Sequence, residues 1–280
     1  MTKNNNEGAY KRMPAFYKEG VAFFSETDDY IENYEKIAKD HLQHQESTGE
    51  NPFIPKDVWN EIERGTRILV NKYLTSDSKI LDVGVGMGRL IQDIDIQNEQ
   101  KFGMDISLVY LLEAKKKGIE VCFSKIEDMP YRESFFDLIV CTDVLEHVID
   151  LNLCINKILS VLKSNGFLII RVPYKENLRQ YTMPECPYEY VHLRNFDEDN
   201  LNLLFTKIFG CKFHERTFSW GSPSVNSLIH SSGIRFLDKL KVSLFKRLKR
   251  FVSTSSYQSI LSKRFHPVEC NFVVSKSRNL

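Results

Sequence analysis

The pattern of apolar and polar positions changes character near residue 79. From there, short apolar runs alternate with longer segments in which apolar residues recur every three or four positions. Such runs predict buried strands, and such segments predict amphipathic helices. Because the two alternate, we expect a parallel sheet with helices on both faces. The predicted strands are 79–83, 101–105, 119–123, 136–141 and 167–172, and the helices between them are about 88–96, 107–117 and 150–163.

The flanking segments follow other patterns. Residues 1–26 lack clean periodicity, and we expect them to be partly disordered. Asn165-Gly166 predicts a turn just before the last strand of the central region. The remaining predicted elements are helices at 27–46, 58–73 and 197–209 and strands at 211–219 and 268–275, with an insertion of about 50 residues between these last two strands.

The first predicted strand leads into a glycine-rich loop, Gly84-Val85-Gly86-Met87-Gly88, with Asp82 two residues before it. Glycines at a strand end let the backbone approach a ligand closely. The dinucleotide-binding pattern is G-x-G-x-x-G, whereas the spacing here is G-x-G-x-G. A second acid, Asp105, ends the next predicted strand. Its two carboxylate oxygens could accept both ribose hydroxyls of an adenosine, at the sheet edge where open α/β sheets bind ligands.

Together with Glu127-Asp128-Met129-Pro130 and Leu145-Glu146-His147, these motifs resemble the class I S-adenosylmethionine (SAM) methyltransferases. The resemblance covers about residues 78–210 and is strongest to enzymes that act on small molecules, sugars or quinols. It implies a Rossmann-like, seven-stranded, mostly parallel sheet with an antiparallel final hairpin. The implied domains are a helical N-terminal cap at 1–74 and a methyltransferase domain at 75–280 with a basic helical insertion at about 221–266.

The resemblance also implies a set of residues that bind SAM. Lys125 departs from it, because the family commonly has an acid there that contacts the adenine amine. Adenine recognition would then depend on the Ile126 backbone or on Glu127, whereas Asp128 is expected to be a turn residue. Asp143 could contact either the cofactor or the acceptor. The residues expected at the cofactor are Asp82, Gly84, Val85, Gly86, Gly88, Asp105, Ile106, Ile126, Glu127 and Asp143.

Transfer of a methyl group to a hydroxyl is helped by a base that removes the proton. His147, in the Leu-Glu-His turn, is the first candidate, and His192, in an aromatic-rich loop, is the second. Either histidine could instead have a structural role, as a helix cap or as packing beneath the loop. The seven histidines show no zinc-type spacing, so no metal site is predicted.

The charge distribution is uneven although the net charge is only +1. Residues 231–280 contain 11 Lys and Arg against 2 Asp and Glu, which leaves 27 against 35 in the remainder. Residues 234–252 fit an amphipathic helix with basic residues opposite an apolar arc, and Lys241 lies on the apolar side. Such a helix can lie on an anionic membrane, but we expect its apolar face to pack on the domain. The arc consists of Ile234, Leu237, Leu240, Leu244, Phe245, Leu248, Phe251 and Val252, and the basic face of Arg235, Lys239, Lys246, Arg247, Lys249 and Arg250.

These features predict a SAM-dependent methyltransferase that acts on a hydroxyl of a small molecule or a saccharide precursor. One alternative is a quinol or lipid-phenol O-methyltransferase at the membrane surface, and another is a non-catalytic SAM-binding assembly subunit. Dispersed cysteines, a polar start and the lack of an 18-residue apolar run favour the cytoplasm, with peripheral membrane contact through 234–252 left open. No nucleic-acid partner is expected, because the basic residues are not interleaved with stacking aromatics.

Overall fold

The computed structural model describes residues 8–220, 228–230, 232–248 and 250–276. The described residues form one sheet of nine strands in the order β1-β2-β5-β4-β3-β6-β7-β9-β8. Strands β2 to β7 pair in parallel, and β9 is antiparallel to both β7 and β8. The strands are β1 (Phe16–Lys18), β2 (Val21–Phe23), β3 (Ile80–Val83), β4 (Lys101–Asp105), β5 (Glu120–Phe123), β6 (Phe136–Thr142), β7 (Leu162–Pro173), β8 (Lys212–Ser219) and β9 (Glu269–Ser275). The predicted α/β fold, with its antiparallel final hairpin, is confirmed.

Seven helices flank this sheet within the described residues. Most match the predicted segments to within two or three residues. The predicted helix at 197–209 begins as a short α-helix and continues as a π-helical segment over Leu203–Ile208. The helices are α1 (Asp29–Thr48), α2 (Lys56–Tyr73), α3 (Leu108–Lys116), α4 (Leu151–Val161), α5 (Glu198–Asn202), α6 (Arg235–Leu248) and α7 (Thr254–Ser262).

The sheet has a buried cluster on each face, because alternate residues of a strand point to opposite sides. Leu81, Phe102 and Phe136 belong to one cluster. Ile80 and Val140 belong to the other. Burial on both faces explains why the central strands are continuous apolar runs.

The expected disorder near the N-terminus is wrong for residues 8–26. A hairpin forms there, and β2 extends the sheet by pairing in parallel with β5, where the Phe23 and Phe123 rings stack at 4.3 Å. The three-residue strands are too short to produce a periodic signal, which is why the sequence pattern missed them. This hairpin accounts for the two strands beyond the expected seven. Residues 1–7 lie outside the described part of the chain.

The expected helix at 88–96 is also wrong, because this segment forms a series of turns. Leu90, Ile91 and Ile94 are buried, so side-chain packing holds the segment in place. β-Branched residues and aspartates both disfavour the helical conformation. The glycine loop therefore does not lead into a helix N-terminus.

The expected turn at Asn165-Gly166 is a bulge within β7. Phe136 of β6 pairs with Leu162, but Leu138 pairs with Phe167, so extra residues of β7 lie between two adjacent pairs. The strand continues through the bulge to Pro173.

In the insertion, the expectation that the apolar face of residues 234–252 packs on the domain is wrong for most of the arc. Phe245 and Val252 pack against a small cluster of Val242, Tyr257 and Phe265. Five other members of the arc, together with Phe236, are exposed, with 58% of Leu244 and 81% of Phe251 accessible. The exposed apolar residues are Ile234, Phe236, Leu237, Leu240, Leu244 and Phe251. Residues 221–227 and the predicted basic residue Lys249 lie outside the described residues.

Candidate functional site

A cavity of about 1360 Å³ opens at the carboxyl ends of the central strands. It is bounded by α1, by the loop after β6 and by the segment after β7, so residues far apart in the chain share its wall. Of the predicted site residues, Gly88 does not line it, and the rest do: Asp82, Gly84, Val85, Gly86, Asp105, Ile106, Ile126, Glu127, Asp143, His147 and His192.

The glycine loop owes its shape to backbone conformation and close packing. The N–H groups of Gly84 and Val85 both donate to the carbonyl of Met104, and that of Gly86 donates to Asp105 Oδ2 at 2.9 Å. Gly84 has a φ of +74°, and a Cβ there would lie 2.2 Å from Val144 Cγ2. Gly88 has a φ of +73°, and a Cβ there would lie 2.5 Å from Ile119 Cδ1. Gly88 therefore allows packing against the core rather than contact with a ligand.

Two acids lie beside this loop. Asp82 is 2% exposed, and its Oδ1 has no hydrogen-bond partner among the described residues. Burial raises the pKa of Asp82 well above its usual value, although Arg171 opposes this. Asp105 accepts the N–H groups of Gly86 and Ser107, and burial raises its pKa to about 6 despite these bonds. A buried carboxyl group with one unpartnered oxygen at a cavity fits a ligand that brings a donor with a positive charge, such as the methionine end of SAM.

Lys125, the departure from the family pattern, has a structural partner. Its ammonium pairs with Asp28, the residue that caps α1 by accepting the Ile31 N–H. The backbone N–H of Lys125 donates to Ser25 Oγ, which in turn donates to Asp128 Oδ2 at 2.6 Å. These contacts attach the loop after β5 to the N-terminal segment.

Asp143, at the end of β6, is paired with a buried arginine. Arg171 of β7 donates to both carboxylate oxygens of Asp143 and also donates to Thr66 Oγ1 at 3.1 Å. Asp143 raises the pKa of Arg171, which outweighs the opposing effect of burial. With a φ of +57°, Asp143 has a backbone conformation that non-glycine residues seldom adopt. This pair fixes the Asp143 side chain at the cavity wall.

The two candidate bases are neighbours, although 45 positions separate them in the chain. The rings of His147 and His192 lie 4.5 Å apart, edge to face. His192 Nδ1 pairs with Glu176, whose other oxygen accepts the Tyr181 hydroxyl at 2.6 Å. His147 Nδ1 lies 3.0 Å from the Tyr34 hydroxyl and 3.3 Å from the Val191 carbonyl.

Burial and the neighbouring His192 lower the pKa of His147 to about 4. Burial opposes ionisation of Glu176, but the hydrogen bonds from His192 and Tyr181 outweigh it and lower the pKa of this carboxyl. A carboxylate on one nitrogen of a histidine orients the ring and makes the other nitrogen a better proton acceptor. His192 has a carboxylate within hydrogen-bond distance of one ring nitrogen, whereas the Glu146 carboxylate lies 4.0 Å from His147 Nε2.

Arg171 and Glu176, which also line the cavity, were not predicted from the sequence. Arg171 could have been found, because it is a lone charge in the apolar run Ile169–Val172, and charged residues are almost never fully buried without a partner. Glu176 gave no signal, because an acid in a polar loop is ordinary.

The fold and the cavity define the chain as an α/β domain of the class I methyltransferase type, with its ligand site at the carboxyl ends of parallel strands. A family model described as a methyltransferase domain matches residues 74–214, just over half of the chain. The chain belongs to this methyltransferase family. The predicted resemblance to SAM-dependent methyltransferases is thus confirmed at the level of family and fold.

The chain is also similar to individual proteins and to a solved structure. An uncharacterised protein of Methanocaldococcus jannaschii is 34% identical over 41% of this chain and 56% of its own length. A ubiquinone biosynthesis O-methyltransferase of Bradyrhizobium diazoefficiens is 26% identical over 40% of this chain and 46% of its own length. The matches thus span about half the length of these relatives. A SAM-dependent methyltransferase of Thermotoga maritima, 18% identical, has the same fold with a TM-score of 0.55, covering 89% of this chain and 100% of that one.

Proposed function

We propose that this chain transfers the methyl group of SAM to a hydroxyl of a small molecule or a saccharide precursor. One observation carries the proposal: a single cavity is lined by the Asp82–glycine–Asp105 cradle and by a histidine held by a carboxylate. Asp82, the glycine loop and Asp105 would bind the cofactor, and His192 would take the proton of the acceptor. The division into a cap at 1–74 and a methyltransferase domain at 75–280, and a cytoplasmic location, remain predictions.

The chemistry requires two aligned reactants and one proton acceptor. The acceptor oxygen forms a bond to the methyl carbon while the bond from that carbon to sulfur breaks, and S-adenosylhomocysteine leaves. Most of the acceleration comes from holding the reactants in line at near-attack distance. His192, oriented by Glu176, takes the hydroxyl proton. His147 is the weaker candidate, because its lowered pKa makes it a poor base near neutral pH.

Calorimetry with S-adenosylhomocysteine tests the cofactor site. We expect wild type to bind and Asp105→Ala to bind at least tenfold more weakly, because the ribose hydroxyls lose their acceptor. Asp128→Asn is the matched control, since Asp128 bonds to Ser25 and does not line the cavity. Equal affinity of wild type and Asp105→Ala would overturn the assignment of the ribose site.

Methyl transfer to a panel of hydroxylated acceptors tests the base. We expect His192→Gln to lower kcat by about 10²- to 10⁴-fold while leaving the affinity for S-adenosylhomocysteine intact. Full activity in His192→Gln contradicts the role of His192. Binding of S-adenosylhomocysteine without transfer to any acceptor favours instead a non-catalytic SAM-binding assembly subunit.

A second candidate function is a quinol or lipid-phenol O-methyltransferase at a membrane surface. The exposed apolar residues of α6, beside Arg235, Lys239 and Arg247, favour it, because an anionic membrane complements both surfaces. No helix among the described residues is long and apolar enough to cross a membrane.

Sedimentation with anionic vesicles distinguishes the two candidates. The lipid alternative predicts that wild type pellets with the vesicles and that the double variant Phe236→Ser, Leu244→Ser does not. Ile208→Ser is the matched control, because this exposed apolar residue lies outside α6. Wild type that stays in the supernatant disfavours the lipid alternative.

A further inference from the structure

A cluster of three side chains at the acceptor side of the cavity has the composition of a metal site. Glu146, His147 and His192 each present one ligand atom, and these atoms lie within 4.8 Å of one another. Glu146 and His147 come from the turn after β6, and His192 comes from the loop that precedes α5. No metal was expected from the sequence, because the two histidines are far apart in the chain.

Glu146 is the unusual member. Glu146 is 1% exposed, and neither of its carboxylate oxygens has a hydrogen-bond partner among the described residues. Its Oε1 lies 4.0 Å from His147 Nε2. A buried carboxyl without donors is strongly unfavourable, so a positively charged ligand at this position would remove the penalty.

The two histidines are oriented as metal ligands are. His192 Nδ1 pairs with Glu176, and His147 Nδ1 lies near the Val191 carbonyl and the Tyr34 hydroxyl. Metal-bound histidines usually donate their second N–H to a carboxylate or a backbone carbonyl, which fixes the ring and leaves a lone pair on the other nitrogen. Here Glu176 is the carboxylate partner of His192, and the Val191 carbonyl is the backbone partner of His147.

From this geometry we infer that Glu146, His147 and His192 form a binding site for a divalent transition-metal cation of the zinc type. Two imidazoles and one carboxylate are a known ligand set for catalytic zinc, which keeps a further coordination position open. Ligand atoms around tetrahedral zinc lie about 3.3 Å apart, given bond lengths of about 2.0–2.2 Å. The observed spacing, up to 4.8 Å, therefore needs a contraction of up to about 1.5 Å on binding.

The open position would face the cavity, where the proposed acceptor hydroxyl lies. A cation held there by Glu146, His147 and His192 would favour ionisation of the acceptor hydroxyl. In that case His192 would serve as a ligand, and the hydroxyl proton would leave to a water molecule rather than to His192. This consequence rests on the proposed methyl transfer, whereas the cation site itself does not.

Calorimetry with Zn²⁺ on the chelator-treated chain of residues 1–280 tests the site, with Co²⁺ and its visible absorption as a second probe of the geometry. We expect one equivalent to bind wild type, and binding at least tenfold weaker in His192→Gln and in Glu146→Gln. Glu176→Gln should weaken binding by about 10- to 100-fold, because it removes only the orienting partner. His44→Gln is the matched control, since His44 is exposed and does not line the cavity.

S-Adenosylhomocysteine is titrated into the same samples, so that the two proposals fail separately. Binding of S-adenosylhomocysteine without uptake of Zn²⁺ or Co²⁺ overturns the cation site and leaves the proposed function. Uptake of Zn²⁺ without binding of S-adenosylhomocysteine overturns the proposed function and leaves the site. Uptake that is equal in wild type, His192→Gln and Glu146→Gln also overturns the site. The unfolding midpoint of each variant shows that a loss of binding is not a loss of fold.

Discussion

Gly84 and Gly86 are two residues apart in the cofactor loop, and the structure predicts that alanine destabilises the protein much more at Gly84 than at Gly86. Both have positive φ, +74° and +49°, which costs an alanine about 1–2 kcal/mol in the left-handed region. A Cβ at Gly84 would lie 2.2 Å from Val144 Cγ2, whereas a Cβ at Gly86 meets no described atom within 4 Å. Forcing an extra methyl group into a packed site typically costs a further ~1–3 kcal/mol.

We therefore expect Gly84→Ala to lower the free energy of unfolding by about 2–5 kcal/mol and Gly86→Ala by only about 1–2 kcal/mol. Urea unfolding, followed by circular dichroism at constant m-value, measures both. Because Gly86 lines the cavity, its added methyl group should weaken S-adenosylhomocysteine binding while leaving most of the stability.

Val144→Ala supplies the control, because it removes the atom that the new methyl group at Gly84 would meet. In a double-mutant cycle it should restore part of the stability lost in Gly84→Ala, with a coupling of about 0.5–3 kcal/mol. Two alanine variants of equal stability, together with additive effects of Val144→Ala, would refute the packing argument.

Three further predictions follow from the buried charges. Burial raises the pKa of Asp105 to about 6, above its unfolded value, so its contribution to stability is present at low pH and is lost as the pH rises. The free energy of unfolding of wild type, measured with urea relative to that of Asp105→Asn, should fall by roughly 3 kcal/mol between about pH 4 and pH 7. A difference between the two proteins that stays constant over this pH range contradicts the prediction. Arg171→Met should lower the free energy of unfolding by up to about 3–5 kcal/mol, because the partly buried Asp143 and the buried Asp82 and Glu269 lose the cation beside them. A loss below about 1 kcal/mol would show that this cation matters little for stability. The pKa of His147 is lowered to about 4, so its ring resonances in NMR should stay constant from pH 8 to about pH 5, and titration near pH 6.5 would contradict its burial.

Much of the cofactor half of the candidate site could be predicted from the sequence. Asp82, Gly84 and Asp105 lie at the ends of apolar runs, and the carboxyl ends of parallel strands always meet at one edge of a sheet. Local pattern and topology together therefore place these residues at one wall. The predicted role of Gly88 in cofactor binding has no such support, because its neighbours are Ile119 and Ala114 of the core.

The acceptor half of the candidate site could not be predicted from the sequence, because its contacts form only in the tertiary structure. Glu176 meets His192 across 16 positions, and Arg171 meets Asp143 across 28, and nothing in the loop sequence specifies either contact. The exposed apolar arc of α6 was equally hidden, because periodicity identifies an apolar face but not what covers it.

The sequence by itself determined the alternation of strands and helices, and with it the edge of the sheet where a ligand binds. Those features depend on the periodicity of apolar residues and on glycine conformation, which are properties of short segments. Only the tertiary structure brought Glu146, His147, His192 and Glu176 together at the cavity. Their contacts join loops that are distant in the chain, and such loops carry no periodic signal because packing of the scaffold, not local preference, sets their positions.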